Sequence, residues 1–154
     1  MYSILLFLHS AFRWLMLATL LFAIYRAYIG WLSSKQFSGF DNSLRTTTVI
    51  IAHTQLILGL LLYFVSPIIK YFLNNFSEAV HDRGIRFFAM EHSLMMLVAI
   101  VFITIGSASA KRKTTDKQKF KTIAIWFSIA LVIIIASIPW PFSPMASRPY
   151  FRLF

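Results

Sequence analysis

The sequence contains no cysteine and only five acidic residues. A chain without cysteine cannot hold a disulfide, an iron–sulfur cluster, a thiolate metal site or a c-type haem attachment. Charged residues make up 13% of the chain, compared with about 25% in ordinary soluble domains. Apolar residues make up 58%. This composition excludes a soluble globular enzyme, a disordered tail and a nucleic-acid-binding domain.

Four long apolar runs dominate the chain instead. A membrane-spanning helix needs about 20 mostly apolar residues, and candidate spans cover residues 3–32, 46–69, 87–110 and 122–138. The last run ends at Pro139-Trp140-Pro141, because proline cannot continue a helix. Short connections make consecutive helices antiparallel neighbours. The sequence therefore predicts an all-α fold with one transmembrane domain over residues 1–154, an integral membrane up-down-up-down four-helix bundle.

The basic residues between these runs predict the orientation in the membrane. Loops 33–45 and 111–121, together with Arg26, hold most of them, and the opposite side holds Lys70, Arg83, Arg86, Arg148 and Arg152. Cytoplasmic loops carry the excess of positive charge. We therefore expect a bacterial inner membrane protein with both termini periplasmic. The basic run at 111–121 lies directly beside the membrane, which favours anionic lipid head groups over nucleic acid as its partner.

Five ionisable residues fall within the predicted spans, where such groups are costly and mark functional sites: His9, Arg13, His53, Glu91 and His92. With a rise of about 1.5 Å per residue, His9 lies roughly 12 Å and His92 roughly 9 Å below the outer ends of their helices. In the predicted bundle these helices are parallel and diagonal to each other. Two imidazoles at one depth can bind a haem iron from opposite faces, so both are candidate metal ligands.

His53 lies on the antiparallel second helix, roughly 25 Å inward of Lys70, well below the two other histidines. It is a candidate for lining the inner edge of the site, contacting a quinone, relaying protons or making a structural hydrogen bond. Arg13 follows His9 by four residues and shares its helix face. A buried arginine needs an anionic or carbonyl partner, and Glu91 or a haem propionate would serve.

Three further basic residues, Lys70, Arg83 and Arg86, are expected at the outer rim beside this layer. Guanidinium groups pair well with carboxylates, so we expect these side chains to meet the propionates better than Arg13 does. Arg13 and Glu91 would then tune the site.

Two other classes of function fit the same residues. The chain could be a non-haem structural or assembly subunit of a larger membrane complex, with Arg13, Glu91 and the histidines forming a hydrogen-bonded network that fixes helix packing. It could also be a quinone- or proton-handling enzyme that uses His53, Gln55 and Arg13. The absence of a nucleophile, a carboxylate pair or a phosphate-binding loop from the sequence disfavours this third interpretation.

The segments HSAFRWL, AHTQLILGLLLYFVSP, EH and IPWPF stand at residues 9–15, 52–67, 91–92 and 138–142. With them the chain resembles, over essentially its whole length, small bacterial membrane proteins catalogued as cytochrome-b-like. The resemblance implies a b-type haem and gives His9, His53 and His92 as ligand candidates. Larger membrane cytochromes b with two haems have more helices and two pairs of histidines, a pattern that this chain does not share.

Residues and resemblance together lead to one principal hypothesis. It is a membrane-embedded b-type cytochrome with one haem bound by His9 and His92, exchanging electrons with a quinol or a respiratory partner protein. Such a chain is an electron-transfer protein or a subunit of a respiratory oxidoreductase rather than a stand-alone enzyme.

Overall fold

A computed structural model describes residues 1–143 and Ala146, and this part of the chain contains helices, turns and loops but no strand. The elements are α1 (Tyr2–Leu32), α2 (Gly39–Val65), α3 (Pro67–Asn74), α4 (Phe76–Ala79), α5 (Arg83–Arg86), a π-helix (Phe87–Glu91), α6 (His92–Lys111) and α7 (Asp116–Ser137). Four helical segments are long and apolar enough to cross a membrane: α1, α2, the stretch Arg83–Lys111, and α7. The predicted all-α class and the four long apolar helices are confirmed. Arg148 and Arg152, used in the orientation argument, lie outside the described residues.

The second span differs from its predicted bounds of 46–69 at both ends. It begins earlier, at Gly39, because Ser38 and Asp41 form a capping box that starts the helix. It ends earlier, at Val65, because Ser66 is extended (φ −68°, ψ 127°) and Pro67 starts the separate helix α3. A residue before proline is pushed out of the helical region, although the apolar run itself continues to Ile69.

The long helices pack around a core of small and aliphatic side chains. α1 contacts α2 and α7, and α6 contacts the same two helices. Small residues at membrane helix contacts let backbones approach closely, and those buried here are Ala23, Ala27, Gly30, Ala52, Ala99, Gly106, Ala110, Ala124 and Ala130. Close packing on these positions fixes the helices that surround the cavity described below.

The connection between the second and third predicted spans, residues 70–86, is largely helical, and it leads into an irregular turn. α3 buries Ile69 and Phe72 against Ala79 and Ala89. The π-helix then interrupts the third span, and the wider turn is stabilised by Ser93 Oγ, which donates to the Phe88 carbonyl at 2.9 Å. Single π turns inside helices are frequent at functional sites. Here the turn comes immediately before His92.

A buried carboxylate ties α1 to the start of α2. Asp41 is 5% exposed, and its Oδ1 accepts from Arg26 Nε and Nη2 at 3.1 and 2.8 Å. Its Oδ2 accepts from the Ser38 backbone N and Oγ at 3.0 and 2.7 Å. The carboxylate therefore serves as a helix cap and as a link between two helices.

Replacing Asp41 with alanine is expected to destabilise the protein by about 1–3 kcal/mol, because the cap is lost and buried donors lose their acceptor. Thermal unfolding in detergent, followed by circular dichroism, measures this effect. Asp116→Ala is the matched control: its carboxylate also lies in the first turn of a helix, but it is 37% exposed and pairs with the flexible side chain of Lys119, whose Nζ lies 3.3 Å away. We expect a loss there of at most about 1 kcal/mol. Equal losses in the two variants would contradict the role given to Asp41.

Candidate functional site

The rings of His9, on α1, and His92, at the start of α6, are neighbours in an edge-to-face arrangement. Their centroids are 6.4 Å apart and their planes are inclined by 74°. An imidazole nitrogen binds a first-row metal ion at about 2 Å, so two imidazoles on opposite sides of one ion have centroids about 6 Å apart. The separation between these two rings therefore matches that of two axial ligands sharing one iron.

His92 is held by a hydrogen bond to the end of α7. Its Nδ1 lies 2.7 Å from the Ser137 carbonyl oxygen. Since a carbonyl can only accept, Nδ1 carries the proton, and in the neutral ring the lone pair is on Nε2. Metal-binding histidines almost always donate their second N–H to such an oxygen. The rings of Phe87 and Phe88, with centroids 5.8 and 6.3 Å from that of His92, enclose the imidazole on the π-helix side.

His9 is positioned by α2. Gln55 Nε2 donates to the His9 carbonyl at 3.0 Å and lies 3.2 and 3.4 Å from the two ring nitrogens. Gly59 leaves room for the ring, since a Cβ at that position would lie 3.3 Å from His9 Cε1. Within the described residues, the buried Gln55 Oε1 has no hydrogen-bond partner. On the side next to α2, the His9 ring thus fits closely against Gly59. The Oε1 oxygen of Gln55 is an acceptor without a donor among the described residues.

Both histidines line a cavity of about 230 Å³ at the end of the molecule where α1 and α6 begin and α2 and α7 end. Most of its lining is aliphatic, and the polar side chains on it include Ser10, Arg13, Gln55, Tyr63 and Ser93. Binding pockets are typically apolar with a few placed polar groups. A flat, largely apolar cofactor with a charged edge fits this chemistry, with the imidazoles as ligands and Arg13 facing a carboxylate.

His53 lies elsewhere. It does not line the cavity; its Nδ1–H donates to the Val49 carbonyl at 2.8 Å, and its Nε2 lies 3.4 Å from Thr104 Oγ1. The structure thus separates His53 from the other two histidines, as the helical rise predicts. Its contacts are those of the structural alternative, a hydrogen bond to its own helix.

Four of the remaining predicted site residues, Glu91, Lys70, Arg83 and Arg86, are not brought to the cavity. Glu91 accepts from Arg86 Nε at 2.8 Å, so the ion pair on this carboxylate is formed with Arg86. Lys70 and Arg83 are exposed. None of these four residues lines the cavity, whereas Arg13 does, with its guanidinium carbon 5.3 Å from the centroid of a Trp14 ring. The placement favours Arg13 over the rim residues as the partner of a carboxylate in the cavity.

Sequence reasoning missed the Ser137 carbonyl and the contact between Gln55 and His9. A backbone carbonyl that accepts a hydrogen bond cannot be recognised from any side chain in the sequence. The two prolines after Ser137 are nevertheless a signal, because they remove backbone donors at the end of α7. Among the described residues, no group of three or more His, Cys, Asp or Glu side chains could hold a metal ion by itself. Two histidines alone would hold an iron only together with a group that supplies its other ligands, as haem would.

No family model matches the chain, and neither do the curated proteins or the solved structures with which it was compared. The resemblance to cytochrome-b-like membrane proteins therefore stays an expectation drawn from the residues quoted for it.

Proposed function

We propose that the chain is a membrane-embedded b-type cytochrome that binds one haem between His9 and His92. The observation that carries this proposal is the 6.4 Å separation of the two rings across the cavity. The bound group would supply reversible one-electron exchange. The chain would supply two nitrogen ligands, an apolar enclosure and, from Arg13, a positive charge for a propionate.

The bundle that we propose around this haem is the up-down-up-down form. Support comes from the contacts of α1 and α6, each of which packs against both α2 and α7. In that arrangement α1 and α6 are the diagonal pair, and helices facing across a bundle core supply the ligands of its cofactors. The diagonal placement accounts for two ligands approaching from opposite sides.

We further propose a bacterial inner membrane location, with loops 33–45 and 111–121 cytoplasmic and the cavity near the periplasmic face. The concentration of basic residues on one side supports this orientation. A haem near the outer face would exchange electrons with a quinol or with a respiratory membrane protein. The apolar outer surfaces of the four long helices are suited to contact with lipid.

The deciding measurement is the reduced-minus-oxidised absorbance spectrum of protein expressed with haem supplied and purified in detergent. We expect a low-spin b-type spectrum with about one haem per chain, because His9 and His92 would each supply a nitrogen ligand.

A featureless spectrum from haem-replete cells would contradict the proposal and favour the second candidate, a structural or assembly subunit. That candidate has its own support. The hydrogen bonds from His92 to Ser137 and from Gln55 to His9 each join two helices and would fix their packing without any cofactor.

A further inference from the structure

Two prolines leave two carbonyls at the end of α7 without a backbone N–H donor. In an α-helix each carbonyl accepts from the N–H four residues later, and proline has no N–H. Pro139 stands four residues after Ile135, and Pro141 stands four residues after Ser137. The helix accordingly ends at Ser137, and Ile138 is extended, with φ −74° and ψ 132°.

Side chains take the place of the missing backbone donors. The Ile135 carbonyl accepts from Trp140 Nε1 at 2.8 Å. The Ser137 carbonyl accepts from His92 Nδ1 at 2.7 Å. In a helix that continued past this point, both carbonyls would be occupied by backbone N–H groups. The bond to His92 is therefore available because the helix ends before Pro139 and because Pro141 could supply no backbone N–H even if it continued.

Trp140 fixes this segment against the helix that carries His9. Its ring centroid is 6.2 Å from that of Trp14 in an edge-to-face arrangement, a favourable geometry for aromatic pairs. Trp14 follows Arg13 on α1, so the acceptor of His92 is anchored beside the cavity. The indole N–H of Trp140 and its ring thus hold the end of α7 from two sides.

We infer that the segment Pro139-Trp140-Pro141 is a positioning element for His92: its prolines keep the Ser137 carbonyl open, and that carbonyl holds the proton on Nδ1 and the lone pair on Nε2. The link to haem rests on the proposed function, whereas the hydrogen bond and its origin do not. In metal sites such a bond fixes the orientation of the ring and raises the basicity of the ligand.

The first test uses protein labelled with ¹⁵N at histidine and measured by NMR without haem. The His92 signals are assigned by their loss in His92→Ala. In the unchanged protein we expect the two widely separated nitrogen signals of a neutral ring protonated at Nδ1. A ring protonated at Nε2, or one exchanging between both forms, would overturn the inference without any further variant.

The second test is Pro139→Ala/Pro141→Ala, which restores both backbone donors and lets α7 continue. We expect the two His92 nitrogen signals to move towards each other, because the Ser137 carbonyl gains a competing donor and the ring loses its fixed form. Pro67→Ala, at the start of α3 and outside the cavity lining, is the control and should leave them unchanged. Unchanged signals in the double variant would overturn the inference. If circular dichroism shows that this variant is unfolded, Pro139→Ser/Pro141→Ser, which restores the same two backbone donors, takes its place in the comparison.

A third readout separates this inference from the proposed function. With haem bound, the double variant should show a more positive midpoint potential than the unchanged protein, since a less basic imidazole stabilises ferric iron less. If no haem binds to any form, the proposed function fails, and the NMR comparison still decides the role of the proline segment.

Discussion

His92→Ala is expected to abolish the low-spin b-type spectrum, and His9→Ala is expected to do the same. Each substitution removes one of the two proposed nitrogen ligands, which both line the cavity with ring centroids 6.4 Å apart. An iron left with one protein ligand cannot keep the spectrum of two nitrogen axial ligands. The ratio of haem to protein after purification and the reduced-minus-oxidised spectrum measure the loss.

His53→Ala is the matched control for both variants. It removes the same side chain from another long apolar helix, at a position that does not line the cavity. We expect its spectrum and its haem content to equal those of the unchanged protein. Loss of haem in His53→Ala, with retention in His92→Ala, would show that the ligand pair has been assigned to the wrong histidines.

Gly106→Ala is expected to cause the second large effect, a destabilisation of about 1–3 kcal/mol from overpacking. A Cβ at position 106 would clash with Trp126 Cβ and lie 3.0 Å from its Cγ. These atoms are next to the backbone of α7, so they cannot move without shifting the helix. The close contact between α6 and α7 at this position would have to open. Thermal unfolding in detergent provides the comparison.

Gly39→Ala tests whether this effect comes from packing rather than from glycine itself. A Cβ at position 39 would meet nothing within 4 Å, and alanine is the better helix former by about 1 kcal/mol. We therefore expect Gly39→Ala to be neutral or slightly stabilising. A similar loss of stability in the two glycine variants would rule out the close contact between α6 and α7 as the cause.

The long helices could be predicted from the sequence because a membrane-spanning helix needs about 20 mostly apolar residues in a row. Each of the four apolar runs is close to that length or longer. The end of α2 could not be placed by the same rule. Ile68 and Ile69 continue the apolar run past Pro67, so a count of apolar residues passes over the break that the backbone makes at Ser66. Local backbone chemistry, rather than hydropathy, decides where that helix ends.

For the site, the depth of each histidine along its helix could be predicted from the sequence. The hydrogen-bond and ion-pair partners of the site residues could not. The rise per residue placed His9 and His92 in one layer and His53 in another, and the structure places them accordingly. The pairing of Glu91 with Arg86 instead of Arg13 depends on how each helix is rotated about its axis. Spacing along one helix does not fix its rotation relative to the next. The same limit applies to the Gln55 contact with His9.

The π-helix at Phe87–Glu91 also means that no single helical wheel describes the third span. A wheel advances by about 100° per residue, and a π turn contains one residue more than an α turn, so the faces before and after it are out of register. In evolutionary terms the segment is equivalent to a one-residue insertion. Deletion of that one extra residue would leave the hydropathy of the span almost unchanged. It would nevertheless change the direction of His92 relative to the residues before it. Chains with the same apolar pattern can therefore differ in whether this histidine reaches His9.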